Sequence, residues 1–331
     1  MSIIKTHDIT LYGGSKNRIV LRPLCDEHLP FLYKWCADSE VLYWTEGGTD
    51  DLNLSYDEET VHDIYGGASQ NALCFLIEAD GVPIGECWLQ KMNLLNVKAM
   101  YPENLDVRRI DMCIGEKDYW NKGIGTQFIG MMVDFAFCGE HVEILHCFCE
   151  DYNVRSRRMW EKHGFTQILA EQLPQPQKGK WQYHYRLTRS EFLFQKGRKI
   201  SPVKQFLLPI AELQPSRLYI NEGKLHLIKG WFELEKLTSE NHDYFDPIPI
   251  VKINDRIVMT DGHSRALAAL QAGWDTLPVY WIEEEQDIRT IENYLTWCDE
   301  EGIHKLDALI DRIVSYNEYQ RLWCKRCMEL I

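Results

Sequence analysis

The chain has 331 residues, a length that exceeds one typical core and predicts two domains. Its net charge of −14 would repel phosphate groups, so we expect a small cationic molecule as its partner and no nucleic acid. No apolar run reaches the length of about 18 residues that spans a bilayer, and no secretory signal opens the sequence, so we expect a cytoplasmic protein without membrane association.

The cysteines give no metal site. The 11 Cys are odd in number and scattered, as in a reducing compartment. Cys324 and Cys327 have the spacing of a zinc ligand pair, but no second Cys or His pair at finger spacing accompanies them. On a helix these two side chains share one face, where free cysteines behave as small buried hydrophobes. We therefore predict no bound metal, and the sequence is silent on oligomeric state.

Strand-like and helix-like patterns alternate along the first 190 residues. In chain order they predict a strand at 18–23, a helix at 26–38, a loop at 41–60 leading into a short helix, a hairpin of 72–79 and 82–91, a strand at 108–115, a helix at 126–137, a strand at 142–149, a helix from Asn153 to Gly164, and strands at 165–170 and 181–187. This order predicts an α/β fold with a mixed, mostly antiparallel sheet flanked by helices.

A second unit follows a polar, basic stretch. We predict a first domain at 1–190, a linker at 191–200 and a smaller α+β domain at 201–331. In the second domain 248–253, 256–260 and 277–283 read as strands, SRALAALQAG reads as a helix, and the C-terminal end is helical.

The segment YWNKGIGT joins the strand at 108–115 to the following helix. Gly123 and Gly125 let the backbone turn tightly and approach a ligand without side-chain obstruction. The free N–H groups at the helix start suit a pyrophosphate. Taken alone, a G-x-G sequence before a helix also fits a simple tight turn.

Together with RRIDMCIG before it and NVRSRRMWEKHGF after it, this loop resembles the GNAT acetyltransferase superfamily, over roughly residues 17–188. The resemblance implies acetyl-coenzyme A as cosubstrate and a strand that splays from its neighbour to admit the pantetheine arm. The residues that it places against the coenzyme are Met112, Ile114, Trp120, Lys122, Gly123, Ile124, Gly125, Thr126, Asn153, Ser156 and Trp160.

Within the superfamily, IGECWLQKM and DMCIGEKDYWNKGIGT are similar to aminoglycoside 6′-N-acetyltransferases, which acetylate a primary amine on a polycationic sugar. The match assigns Asp111 as general base or substrate anchor; the alternative is an aspartate bonded to neighbouring backbone. Candidate acceptor-binding residues are Trp44, Glu46, Glu86, Trp88, Glu150 and Asp151. Glu150 and Asp151 also fit a plain helix-start turn, and a protein N-terminus or another small amine stays open as acceptor.

The chemistry explains why a carboxylate is needed. An amine is protonated at neutral pH and attacks a thioester only after a nearby base such as Asp111 has taken its proton. The backbone N–H of Met112 offers a hydrogen bond to the developing negative charge. Direct attack in a ternary complex needs no cysteine nucleophile. Many relatives place a tyrosine where this chain has Trp160, and indole cannot protonate a leaving thiolate.

The second domain carries a motif of its own. In IVMTDGHSRALAALQAG, a strand leads through a turn into a helix, and this stretch resembles the D-G-H-x-R element of the ParB/sulfiredoxin-like superfamily over residues 200–282. The resemblance implies that phosphates of ATP or ADP bind at Asp261, Gly262, His263, Ser264 and Arg265, although such residues are more often plain surface residues. Either a nucleotide-binding sensor or a bifunctional protein that phosphorylates a small molecule, with Glu212 or Asp261 as the carboxylate, is therefore the alternative to a pure acetyltransferase.

Overall fold

The computed structural model describes residues 2–46, 54–174, 178–197, 204–241, 245–282 and 288–331, with the backbone alone at 195–197. The chain divides into two compact units: Met1–Arg189 together with Ile331, and Ser190–Leu330. We call them unit 1 and unit 2. Within the described residues, no helix combines the length and the apolar character needed to cross a membrane.

Unit 1 is built on one sheet. Its described strands are β1 (Leu11–Gly13), β2 (Ile19–Pro23), β3 (Ala72–Ala79), β4 (Val82–Lys91), β5 (Val107–Ile114), β6 (Ile144–Glu150), β7 (Thr166–Gln172) and β8 (Trp181–Thr188). Its described helices are α1 (Leu29–Ala37), α2 (Ser39–Thr45), α3 (Glu58–Ser69), α4 (Leu95–Lys98), α5 (Ile124–Asp134) and α6 (Val154–Lys162). The strand order is β1-β2-β3-β4-β5-β6-β8-β7, with β5 and β6 parallel and the other neighbours antiparallel. The predicted mixed, mostly antiparallel sheet is confirmed.

Local signals that need no distant partner were predicted well. The β3–β4 hairpin has the predicted bounds, and Asp80 and Gly81 turn it with positive φ angles of 51° and 82°. Asn153 caps α6, since its side-chain oxygen accepts from Ser156 N at 3.2 Å. The prediction of a loop from residue 41 was wrong for its first part, because α2 runs to Thr45 after the cap by Asp38, whose Oδ1 accepts from Glu40 N at 2.9 Å.

The middle of the sheet opens between two parallel strands. β5 and β6 pair only where Val107–Arg109 lie beside Ile144–His146. Beyond that point β5 continues to Ile114 along β4, and the described residues show no further pairing with β6. The two strands thus diverge toward the ends that lead into α5 and α6.

Unit 2 has a smaller sheet with helices. Its described strands are β9 (Phe206–Pro209), β10 (Leu213–Gln214), β11 (Ile220–Asn221), β12 (Ile248–Ile253), β13 (Arg256–Met259), β14 (Thr276–Trp281) and β15 (Ile313–Val314). Its described helices are α7 (Arg189–Gly197, whose first residue is counted with unit 1), α8 (Glu222–Leu234), α9 (His263–Gln271), α10 (Ile288–Glu300), α11 (Tyr316–Tyr319) and α12 (Lys325–Met328). The main sheet has the order β10-β13-β12-β14-β9, and β11 pairs with β15.

Two features of unit 2 differ from the sequence expectation. Helix α7 runs through most of the stretch predicted as linker, of which residues 198–200 lie outside the described residues. Helix α8 was not predicted; it starts after Asn221, whose side-chain oxygen accepts from Lys224 N at 2.8 Å. The apolar face of α8 packs into the core of unit 2, where Phe232 lies against Phe245 and Trp274.

Candidate active site

A cavity of about 400 Å³ lies in unit 1 where the end of β5 meets the starts of α5 and α6. Nine of the eleven residues predicted to contact the coenzyme line it: Met112, Ile114, Trp120, Gly123, Ile124, Gly125, Thr126, Asn153 and Ser156. The other two do not. The Lys122 ammonium lies 5.4 Å over the Tyr119 ring. Trp160 is only 2% exposed and packs edge-on against Phe165 in the core.

The loop before α5 is shaped to present backbone amides. Gly123 caps the helix with φ of +76°, and a methyl group placed on it would meet no atom within 4 Å. The hydrogen bond from Gln127 N to Gly123 O, 3.3 Å long, closes the first helical turn. The amides of Ile124, Gly125 and Thr126 precede that bond and are available at the helix end. Trp120 Nε1 ties the loop to β5 by donating to Ile114 O at 2.7 Å.

Three cations that the sequence analysis missed also line the cavity: Arg155, Arg158 and Lys162. They recur at helical spacing along α6, so their positions on one face could have been predicted from NVRSRRMWEKH. The Arg155 guanidinium lies 4.3 Å from the Trp44 ring centroid and 5.3 Å from that of Trp120. Cations beside exposed helix amides favour an anionic ligand such as a phosphate.

Asp111 lies on β5 just before Met112, at the edge of the cavity lining. Its carboxylate accepts from Arg109 Nε at 2.6 Å, and Arg109 also donates to Gln90 Oε1 at 2.7 Å. Burial raises the pKa of Asp111 above its ordinary value, and the charge of Arg109 opposes that rise. A raised pKa makes the carboxylate a stronger proton acceptor. Sequence reasoning missed Arg109, since the partner of a buried charge depends on the folded register.

Glu86 and Trp88, predicted as acceptor residues, lie on β4 on the same face as Asp111. The register pairs Trp88 with Asp111 and Glu86 with Cys113. Glu86 is 5% exposed. Burial and the nearby Asp111 charge raise the pKa of Glu86 to about 8, so it carries a proton at neutral pH. Glu86 therefore adds little negative charge to this face, and the ion pair with Arg109 favours the ionised form of Asp111 over that of Glu86.

The other predicted acceptor residues lie at or just after the C-terminal ends of α2 and β6. Trp44 lines the cavity from α2, and not from a loop as expected, and Asn153 Nδ2 donates to its carbonyl at 3.1 Å. Glu46 follows α2, and burial raises the pKa of its carboxyl. Glu150, at the end of β6, accepts from Gln182 Nε2 at 3.2 Å. Asp151 accepts from the Lys180 amide at 3.3 Å, which ties the turn after β6 to the residue before β8.

The motif of unit 2, like the loop before α5, has a glycine at the start of a helix, but most of its residues are buried. His263 and Ser264 are 1% and 4% exposed, so they face the core instead of a surface ligand. His263 Nε2 accepts from Ser216 N at 3.0 Å. Burial, followed by the Arg217 charge, lowers the pKa of His263, which is therefore neutral. Arg265 forms an ion pair of 3.0 Å with Asp246.

Asp261 alone among the five motif residues is well exposed. Partial desolvation by the surrounding side chains acts to raise the pKa of Asp261, but the charges of Lys224, Arg217 and Arg265 outweigh that effect and hold the pKa low. The turn thus carries an ionised carboxylate with three cations around it. Across the described residues no group of three metal-ligating side chains occurs in either unit.

Comparison with known proteins agrees with the geometry of unit 1. Residues 18–166 match the acetyltransferase (GNAT) domain family. Aminoglycoside N(6′)-acetyltransferase type 1 of Klebsiella pneumoniae is 25% identical over an alignment of 163 residues, and the match covers 47% of this chain and 80% of that enzyme. The protein of the same name from Serratia marcescens matches to the same extent.

Solved structures are also similar to this chain, at low sequence identity. Aminoglycoside acetyltransferase AAC(6′)-Ib in complex with ribostamycin and coenzyme A has 23% identity and a TM-score of 0.44, covering 55% of this chain and 98% of its own. A GNAT-family acetyltransferase from Bacillus anthracis has 15% identity and a TM-score of 0.42, covering 54% and 98%. From the sequence matches, residues 18–166 form a GNAT acetyltransferase domain with distant similarity to aminoglycoside 6′-N-acetyltransferases, and the chain is an N-acetyltransferase.

Proposed function

We propose that unit 1 transfers the acetyl group of acetyl-coenzyme A to a primary amine of a small cationic acceptor of the aminosugar type. The observation that carries this proposal is the cavity of about 400 Å³ at the diverging ends of β5 and β6, with Asp111 one residue before its wall. Relatives with distant similarity to unit 1 are aminoglycoside acetyltransferases, which supports the choice of acceptor.

The residues present fit the coenzyme. The amides of Ile124, Gly125 and Thr126, with Arg155, Arg158 and Lys162, would hold its phosphates, and the unpaired edge of β5 would hold its pantetheine arm. When bound, the coenzyme supplies an acetyl group activated as a thioester.

Asp111 would act on the acceptor. Its ionised carboxylate binds the acceptor's ammonium and takes one proton, which leaves the amine nucleophilic. Arg109 keeps Asp111 ionised before the acceptor arrives, and burial keeps its pKa high enough to receive the proton. Protonated Glu86 adds no competing charge, so the ammonium is drawn to Asp111.

The test is thiol release from acetyl-coenzyme A by the full chain with a panel of amines: kanamycin, spermidine and a peptide with a free amino terminus. We expect the greatest kcat/KM with the cationic aminosugar and none with its N-acetylated counterpart, which serves as the matched control. Thiol release only with the peptide would remove the aminosugar assignment, and none with any amine would remove the proposed reaction.

We propose as a second function that unit 2 binds a phosphate-bearing nucleotide such as ATP or ADP in the manner of ParB/sulfiredoxin-like proteins. The observation that favours it is the set of cations Arg217, Lys224 and Arg265 around the Asp261 turn, at the start of α9. The contact would be through Arg217, Lys224 and the helix amides, since His263 and Ser264 are buried.

A thermal-shift titration of the full chain with ADP checks this second proposal. We expect ADP to raise the melting temperature of the wild type and of Arg256→Gln, whose own ion pair with Asp299 spans 2.8 Å elsewhere in unit 2. The shift should be lost in Lys224→Gln, which removes one of the two side-chain cations proposed to contact the phosphates. An ADP-induced shift of the same size in both variants would contradict a site at this turn.

A further inference from the structure

The ammonium group of Lys178 lies inside an aromatic and acidic enclosure in unit 1. Its Nζ is 3.6 Å from the ring centroid of Tyr43 and 4.2 Å from that of Tyr152. The same Nζ donates a hydrogen bond to the Tyr43 carbonyl oxygen. We call the two tyrosines, with the carboxylates of Glu46 and Glu150, the Tyr43 cage.

The cage is held together without help from the lysine. The rings of Tyr43 and Tyr152 are 5.8 Å apart, and the Tyr152 hydroxyl donates to the Tyr43 carbonyl at 3.4 Å. Tyr43 also packs edge-on against Trp44 at 4.9 Å. Because α2 carries Tyr43 and the turn after β6 carries Tyr152, the cage is fixed by two elements that also bound the opening of the sheet.

The charges around the cage favour a cation. Burial raises the pKa of Tyr152, and the next contributions come from Glu150 and other acidic neighbours that include Glu46. Burial raises the pKa of Glu46; the charge of Glu150 adds to that rise, and the charge of Lys178 opposes it. Two tyrosine faces and two carboxylates form a site for one ammonium group, since ring faces and carboxylates both attract positive charge.

The cage also adjoins the cavity. Trp44 belongs to the cavity wall and packs edge-on against Tyr43, while Asn153, directly after Tyr152, lines the cavity and donates to the Trp44 carbonyl. An acceptor whose reacting amine lies near Asp111 can therefore extend a second ammonium past Trp44 into the cage. The Lys178 ammonium is carried on a flexible four-carbon stem, so rotation about the side-chain bonds would free the cage.

We propose that the Tyr43 cage is a subsite for a second ammonium group of the acceptor, and that Lys178 is its intramolecular occupant when no acceptor is bound. The inference rests on the proposed function, because it takes the cavity beside the cage as the reaction site. It implies that the chain prefers acceptors with two or more ammonium groups. It also implies that Lys178 weakens their binding by competition, since each acceptor must first displace it.

Labelling of the wild-type chain tests whether Lys178 occupies the cage. An ammonium held between two rings and a carbonyl is protected from acylation by N-hydroxysuccinimidyl acetate, whereas Lys180, exposed two residues later, is not. Peptide mass spectrometry should show Lys178 reacting at least tenfold more slowly than Lys180. Equal rates at the two lysines would overturn the proposed occupancy.

Calorimetric titration of spermidine into the full chain with coenzyme A tests the competition. Lys178→Met keeps an unbranched apolar stem and removes the charge, and Lys180→Met changes the net charge by the same amount. We expect spermidine to bind Lys178→Met at least tenfold more tightly than wild type, and Lys180→Met within twofold. The gain should be lost in Lys178→Met combined with Tyr152→Leu.

Any other pattern overturns the subsite: equal or weaker binding by Lys178→Met, an equal gain in both lysine variants, or no binding of spermidine by wild type and Lys178→Met. The readouts do not depend on turnover. A chain that fails to acetylate amines but shows the Lys178 effect loses the proposed reaction and keeps the subsite. A chain that acetylates amines without the effect loses the subsite alone.

Discussion

Each unit contains a strand that leads through a glycine into an amphipathic helix, and the two junctions differ in what surrounds them. Gly123 and Gly262 have nearly the same backbone, with φ of +76° and +78°, and each caps its helix. A methyl group on Gly123 would meet open space, whereas on Gly262 it would lie 2.6 Å from Ile248 Cδ1. The same local geometry thus faces a ligand cavity in unit 1 and packed side chains in unit 2.

The difference shows that a glycine-capped helix start is a necessary but not a sufficient condition for a phosphate site. The residue after the glycine is Ile124 in unit 1 and His263 in unit 2, and both are 1% exposed. Phosphate binding therefore depends on the residues outside the turn. In unit 1 these are the diverging edge of β5 and the cations of α6, and in unit 2 they are the cations around a mostly buried turn.

The largest effect is expected at Asp111, beside the open junction. Asp111→Asn removes the proton acceptor, so kcat/KM for amine acetylation should fall by about 10²–10⁴-fold in steady-state thiol-release assays. Asp106→Asn is the matched control, since Asp106 pairs with Arg108 at 2.9 Å much as Asp111 pairs with Arg109. Similar losses in both variants would indicate damage to the strand instead of lost base catalysis.

The pH dependence of the wild type sharpens this prediction. Burial raises the pKa of Asp111 above the 3.8 of an ordinary aspartate, so the ionised base is lost as the pH falls through a value above 3.8. The acid limb of the kcat/KM profile should therefore lie above that of an exposed aspartate and disappear in Asp111→Asn. An acid limb that persists in the residual activity of the variant would assign the limb to another group.

The second effect is a difference in the stability lost when each of the two glycines is replaced by alanine. Gly262→Ala combines a positive φ with a clash against Ile248 and should lower the free energy of unfolding by about 2–4 kcal/mol. Gly123→Ala meets only the φ penalty, about 1 kcal/mol. Differential scanning calorimetry of the two variants checks the order. Equal losses would mean that the two junctions are packed alike.

The third effect is acid sensitivity at the closed junction. Burial lowers the pKa of His263 below 6.5, so the stability it contributes is fully present above pH 6.5 and is lost as the pH falls toward the lowered value. His263→Gln should reduce the pH slope of unfolding below pH 6.5 by up to about 1.4 kcal/mol per pH unit. His226→Gln, at an exposed position on α8, is the control. A slope unchanged by His263→Gln would mean that His263 titrates normally.

Local chemistry explains which features could be predicted from the sequence. The hairpin turn at Asp80-Gly81, the Asn153 cap and the Gly123 junction each depend on a few adjacent residues, so their patterns were sufficient. The contacts of Arg109 and Lys178 and the burial of His263 depend on partners brought together by the fold. Arg109 on β5 donates to Gln90 on the neighbouring β4, and His263 accepts from Ser216, 47 positions earlier in the chain. No spacing rule contains those contacts. The cations of α6 lie between these cases, because their helical spacing was visible and their facing the cavity was not.

The smallest effect concerns those cations. Arg155→Met removes a charge from the cavity wall while keeping an apolar stem against Trp44 and Trp120, so coenzyme A should bind about 3–10-fold more weakly, roughly 1 kcal/mol. Arg157→Met is the control on the same helix, because Arg157 lies 4.6 Å over the Tyr183 ring and does not line the cavity. Isothermal titration at two salt concentrations should show a shallower salt dependence for Arg155→Met alone. If both variants weaken coenzyme A binding equally, the loss comes from a disturbed α6, and the charge of Arg155 beside the Gly123 turn contributes nothing to binding.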